Sequence, residues 1–135
     1  MLTFEVHAVS AATPQDVWKL LYDPFRFPEW WVGFETIEIG PEQDGSGFTV
    51  YPTGYPDFPM PQLLTSIFED RTVKISCLVS DLRFEWRLTP SEDGGQTRIS
   101  AHVEIPEREA HRLTTQQDVI RRSVHRLAEL AAAGG

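Results

Sequence analysis

The sequence has one cysteine, Cys77, in 135 residues. No internal disulfide can form, which suits a reducing cytoplasm. Long apolar runs are also missing, so no segment reads as a membrane span and no membrane insertion is expected. The first residues, Met1-Leu2-Thr3-Phe4-Glu5, lack the charged stretch and apolar run of a signal peptide. Basic residues are scarce, with 12 Lys and Arg against 20 Asp and Glu, a net charge of −8. Nucleic-acid binding draws on clustered Lys and Arg that displace counterions, so this balance argues against nucleic acid and anionic membrane surfaces. Catalytic signatures are absent too. There is no Gly-x-Ser-x-Gly elbow, phosphate-binding glycine loop, His-Glu-x-x-His or Cys-x-x-Cys. Nothing calls for a metal or a cofactor.

What is present suits an ordinary globular core. Hydrophobic residues make up 41% of the chain and charged residues 24%, and the length fits one domain over residues 1–135. Residues 2–9 alternate, with Leu2, Phe4, Val6 and Ala8 on one face, which predicts a half-buried strand. Thr13-Pro14-Gln15-Asp16 opens a helix with a good N-cap, a proline in the first turn and an acid at the positive end. Pro24 stops it. A second short helix is expected over residues 24–31, ending in Trp30-Trp31 with Gly33 as its stop.

Strands follow one another through the middle. Phe34–Ile39, a turn at residues 41–47, Phe48–Thr53, residues 63–69, 72–80, 83–89 and 97–105 are the expected segments. Residues 52–62 carry four prolines and read as a long loop or an interrupted edge. Strand 63–69 is apolar on both faces, so its orientation stays open. Val73, Ile75, Cys77 and Val79 share one side of the next strand, and Phe84, Trp86 and Leu88 the inside of the one after. A hairpin turn at residues 91–95 would put Trp86 near Ile99 and Phe84 near Ala101. Residues 107–132 read as one helix with Leu113, Gln117, Ile120, Val124, Leu127 and Ala131 along one stripe.

The resulting order is β-α-α-β-β-β-β-β-β-α, an α+β fold. Short turns force an antiparallel sheet of about seven strands, which curls, and the last helix must cover its apolar face. Space left between the two is the natural place for a ligand.

The stretch FEVHAVSAATPQDVWKLLYDPFRFPEWW, with Ala12, Pro14, Val17, Trp18, Asp23, Pro28 and Trp30, resembles the start of the START/polyketide cyclase (SRPBCC, birch-pollen-allergen-like) superfamily. The strand GQTRISAHVEIP before a long helix is similar as well, so the likeness spans the chain. It implies a helix-grip fold, a curved sheet wrapped around the C-terminal helix, with a hydrophobic cavity. It does not imply one activity, since that superfamily holds cyclases, lipid carriers, hormone receptors and chaperone activators. Polyketide aromatase/cyclases carry interior arginines after the second helix. The matching stretch here, GFTVYPTGY, has tyrosines and no arginine, which argues against cyclase chemistry.

The candidate ligand-contacting residues follow from this picture. Trp30 and Trp31 cannot share a helical face, so one is expected inward and the other near the surface. Tyr51, Tyr55, Phe58 and Met60 lie in or beside the proline-rich stretch and either anchor a loop or form a lid. Phe84 and Trp86 face the interior, as do Leu113 and Ile120 on the helix. Gln117 either keeps its head group in water or aims it at a ligand polar group. His7 and His102 lie on the outer face of neighbouring strands, too few ligands for a metal site. Cys77 reads as a small buried hydrophobe.

The leading expectation is a binding or carrier protein for a small hydrophobic molecule. A cyclase/dehydratase-type enzyme is the alternative. A third reading is an interaction module of the chaperone-activator type, using strand 63–69 and Leu78 as a contact surface. A homodimer through that surface is its milder version.

Overall fold

The computed structural model describes residues 1–39 and 47–134. The turn expected at residues 41–47 falls outside the described residues except for Gly47.

Alternation builds the sheet. Strand β1 (Leu2–Ser10) points Leu2, Phe4, Val6 and Ala8 inward, each half-buried. It is followed by α1 (Pro14–Leu21), where the Thr13 hydroxyl accepts from the Asp16 amide at 3.3 Å. Such a cap contributes about 0.5–2 kcal/mol. Val17, Leu20 and Leu21 bury its inner face. A 3₁₀ segment, Pro24–Glu29, is capped by Asp23, whose carboxylate accepts from the Phe25 amide at 3.0 Å. It ends two residues earlier than the helix expected from sequence, and Trp30 has already left helical geometry at φ −137°.

Six more strands follow: β2 (Phe34–Glu38), β3 (Gly47–Pro52), β4 (Met60–Ile67), β5 (Thr72–Cys77), β6 (Arg83–Pro90) and β7 (Thr97–Ile105). They form one antiparallel sheet in the order β1-β7-β6-β5-β4-β3-β2. The chain closes with a 3₁₀ segment, Glu107–Arg112, and the long helix α2 (Leu113–Ala132). This is the α+β helix-grip arrangement, with the expected element order.

Several local expectations are corrected. Strand β4 starts at Met60, not at residue 63, and contains Pro61. The Pro61 carbonyl accepts from the Leu78 amide, just past the end of β5. In a strand the N and O of one residue point the same way, so the missing donor falls where the β5 ladder has run out. Leu64 faces the core and Leu63 faces out, which settles the open orientation. Val79 is exposed, because β5 stops at Cys77 and a tight turn with Asp81 at φ +60° leads to β6.

The β6–β7 register is shifted by two residues from the expected one. Trp86 pairs with Ala101 and Phe84 with Val103. Strand β6 runs on to Pro90, which pairs with Thr97, so six residues rather than five form the connection. The single helix expected over residues 107–132 is broken. Glu109 has φ −108° and ψ +18°, and the α-helix begins only at Leu113.

The second half of α2 lies over β1 and β7 and against α1. Ile120, Val124, Leu127, Ala128 and Ala131 are buried there. Polar latches hold this end. Ser10 Oγ donates to the Ala128 carbonyl at 2.7 Å, and Thr97 Oγ1 donates to the Ala12 carbonyl at 2.9 Å.

Candidate functional site

The core divides into a solid part and a hollow part. The solid part is an aromatic cluster. Trp30 and Trp86 meet edge to face with centroids 5.0 Å apart, and Trp30 and Trp31 stack at 5.5 Å. Phe27 packs against Trp30, Trp31 and Phe48. The Trp30 indole N–H donates to the Leu20 carbonyl at 2.9 Å. The Trp86 indole N–H is buried without a hydrogen-bond partner, and its nearest aromatic neighbours are Trp30 and Trp31. Both Trp30 and Trp31 are buried, at 0% and 2% exposure. The expectation that one of them lies near the surface is therefore corrected: no helix continues through them, so both rings can turn inward.

The hollow part is a cavity of about 530 Å³ beside this cluster. The first turns of α2 bound it on one side with Thr115, Gln116 and Val119, preceded by Arg112. The sheet supplies Val50 and Pro52 from β3, Met60 and Gln62 from β4, Cys77 from β5 and Phe84 from β6. Trp31, Val32, Gly33 and Phe34 form an end wall, and Ser80 and Leu82 close the β5–β6 turn. Tyr55 and Phe58, 66% and 52% exposed, mark the mouth. The volume falls within the roughly 300–1,000 Å³ usual for small-molecule sites.

The end wall is held firmly. Gly33 adopts φ +93°, which lets Trp31 and Phe34 stack at 4.3 Å with planes 9° apart. Ser123 Oγ accepts from the Val32 amide at 2.9 Å while donating to the Val119 carbonyl at 2.7 Å, tying this wall to α2.

Polar groups in the cavity are few. Gln62 is 4% exposed, and its Nε2 donates to the Met60 carbonyl at 3.2 Å. Ser80 is buried, and its Oγ accepts from the Leu82 amide at 3.4 Å. Arg112 at the rim is hydrogen-bonded to Glu109. That bond, with the guanidinium charge, holds the Glu109 carboxyl below the usual carboxylate range. Among the described residues no carboxylate and no imidazole lines the cavity.

Of the residues singled out from sequence, Trp31, Tyr55, Phe58, Met60 and Phe84 come together around the cavity. Trp30, Trp86 and Ile120 do not line it; they are buried in the solid part. Leu113 is half-buried away from it. Tyr51 points to the other side of β3, into a shallow surface pocket with Thr36, Glu38 and Asp57. Gln117 is exposed, and its neighbour Gln116 takes the cavity position. Among the lining residues that sequence reasoning missed are Gln62, Ser80, Leu82, Arg112, Gln116 and Val119. The alternation Met60, Gln62, Leu64 was the available signal for Gln62, hidden by reading the prolines as a loop.

His7 hydrogen-bonds Ser100 at 3.0 Å, and His102 stands opposite Glu5 on the outer face. No group of three metal-ligating residues occurs among the described residues. None of the described helices is long and apolar enough to cross a membrane.

A family model described as polyketide cyclase / dehydrase and lipid transport matches residues 1–132. No curated protein matches the chain. An uncharacterised protein from Bacillus thuringiensis superposes with a TM-score of 0.76 at 10% identity, covering 96% of this chain and 98% of that one. The Zhui aromatase/cyclase from Streptomyces sp. R1128 superposes with a TM-score of 0.73 at 17% identity, covering 99% and 98%. The di-domain ARO/CYC BexL from the BE-7585A biosynthetic pathway gives 0.79 at 11% identity, with 96% of this chain set on 46% of that one. At these identities the likeness is one of fold.

Proposed function

The chain belongs to the polyketide cyclase/dehydrase and lipid-transport family, and on that premise we propose that its cavity binds and carries a small hydrophobic molecule, aromatic, polyketide-like or lipid-like. The observation that carries this reading is the hollow itself: about 530 Å³, walled by aromatic and aliphatic side chains, with an open mouth. Burying an apolar molecule there gains about 25 cal/mol for each Å² removed from water.

Carriage is favoured over turnover by what the wall lacks. General acid–base chemistry needs a group that exchanges protons near neutral pH. The cavity presents hydroxyls, amides, one thiol and one arginine that is already paired. The cyclase/dehydratase alternative rests on Tyr55, Ser80 and Gln62, which can orient a flexible chain and so promote ring closure by positioning alone.

Uptake of N-phenyl-1-naphthylamine, a neutral dye that brightens in apolar surroundings, tests the binding reading. Val119→Trp fills the cavity from the helix side and should abolish most of the uptake. A dye signal that survives this substitution in a folded protein would remove the cavity as the binding site. Native mass spectrometry of the purified protein checks for a co-purifying molecule.

A further inference from the structure

The cavity wall carries a largely buried amide, Gln62, whose acceptor end no described residue engages. Gln62 sits on the inner face of β4 between Phe48 and Cys77 on the flanking strands. Its residue exposure is 4%. The amide is anchored at one end only, by Nε2 donating to the Met60 carbonyl at 3.2 Å. A carbonyl accepts and never donates, so chemistry fixes the NH₂ end toward Met60 and the Oε1 end away from it. No described residue donates to Oε1, and the side chain lines the cavity.

Among the described residues Trp86 Nε1 is the only fully enclosed side-chain polar atom without a partner, so Oε1 opens onto the cavity, where an acceptor without a donor favours a guest that brings one. Here the space beside the acceptor is the ligand cavity. At the rim the Glu109 carboxylate accepts from Arg112 Nε and offsets the guanidinium charge that would otherwise favour an anionic guest. The chain as a whole carries a net charge of −8, which disfavours an anionic guest.

Resting on the binding reading above, we propose that the cavity selects neutral hydroxylated molecules, a phenol or an alcohol on an apolar ring body, whose hydroxyl donates to Gln62 Oε1. The ring body lies against Trp31 and Phe84. A fatty-acid or other carboxylate anion has no donor for Oε1 and meets the acceptor unfavourably.

The test displaces N-phenyl-1-naphthylamine with three probes of matched ring size: 2-naphthol, naphthalene and 2-naphthoate. Each is measured on the wild type and on Gln62→Leu. The ratio of 2-naphthol to naphthalene affinity should fall about three- to tenfold in Gln62→Leu, the worth of one hydrogen bond. In the wild type, 2-naphthoate should bind most weakly. An unchanged ratio, or preferred binding of 2-naphthoate, overturns the selectivity while leaving a hydrophobic carrier in place. If neither probe nor dye binds the wild type, the carrier reading itself falls. Gln62→Met keeps the side-chain length and decides the question if Gln62→Leu does not fold.

Discussion

Trp31 and Phe34 stack face to face, 4.3 Å apart and 9° from parallel, across a glycine at φ +93°. The Phe34 amide also donates back to the Trp31 carbonyl at 3.1 Å, so two rings and one tight turn make a single rigid wall. Only Gly33 among the four residues of this turn carries a positive φ, and the Gly33 carbonyl in turn accepts from the Thr53 amide just past the end of β3.

Gly33→Ala should therefore destabilise the fold by about 1–2 kcal/mol, the usual penalty for a side chain in the left-handed region. An added Cβ meets no atom within 4 Å, so crowding contributes nothing and the cost is conformational. Urea unfolding measures the loss. Dye affinity should fall as well, because any relaxation of φ moves Trp31 or Phe34.

Ser123→Ala separates the wall from the helix. Its hydroxyl is the acceptor for the Val32 amide, and the whole residue is buried at 0% exposure. The substitution leaves a part-buried N–H unpaired, at about 1–3 kcal/mol. Thermal unfolding should show that loss together with weaker dye uptake. A loss of stability with dye binding intact would mean that the wall does not depend on this tie.

The helix phase gives a sharper contrast. Gln116 lines the cavity and Gln117 is exposed. Gln117→Trp should leave dye binding unchanged and alter stability by no more than about 0.5 kcal/mol. Gln116→Trp should obstruct the cavity and lower dye affinity at similar stability.

Acid should loosen the rim by a route that can be isolated. The Glu109 carboxyl is held below its ordinary range by the Arg112 hydrogen bond and charge. A depressed folded value means that the stabilisation is complete above the ordinary carboxylate range and is lost as pH falls below it. Glu109→Gln should therefore differ from the wild type in urea midpoint at neutral pH and converge with it at the acid end. Asp93, lowered by the Gly95 amide and the Ser91 hydroxyl, contributes in the same direction.

The outline of the fold was legible because local patterns there agree with the tertiary result. The alternation in β1, the Thr13-Pro14-Asp16 helix start and the inward Phe84-Trp86-Leu88 all appear as read. The site was less legible, because its geometry depends on small offsets that composition does not set. The cavity takes the stripe Arg112, Thr115, Gln116 and Val119 beside the buried stripe of α2, so Gln116 and not Gln117 faces it, and one residue is a 100° turn. The β6–β7 pairing lies two residues from the expected one and places Trp86 against Ala101, an offset that no local pattern sets. Nothing local dictates that Trp86 and Trp30 fill space while Trp31 bounds the cavity.

Cys77 offers a direct test of access. Its thiol lines the cavity at 4% residue exposure and pairs across the ladder with Gln62. A small reagent such as methyl methanethiosulfonate can reach it by entering the cavity or by waiting for the chain to unfold. The two routes respond differently to denaturant, since unfolding is favoured steeply by urea and cavity entry is not. Labelling of the native protein should be slow compared with an exposed thiol and nearly independent of urea well below the transition. Added 2-naphthol should slow it in proportion to occupancy. Labelling that instead tracks the unfolding equilibrium from the first increment of urea would place Cys77 in closed core and close the route that a ligand must take.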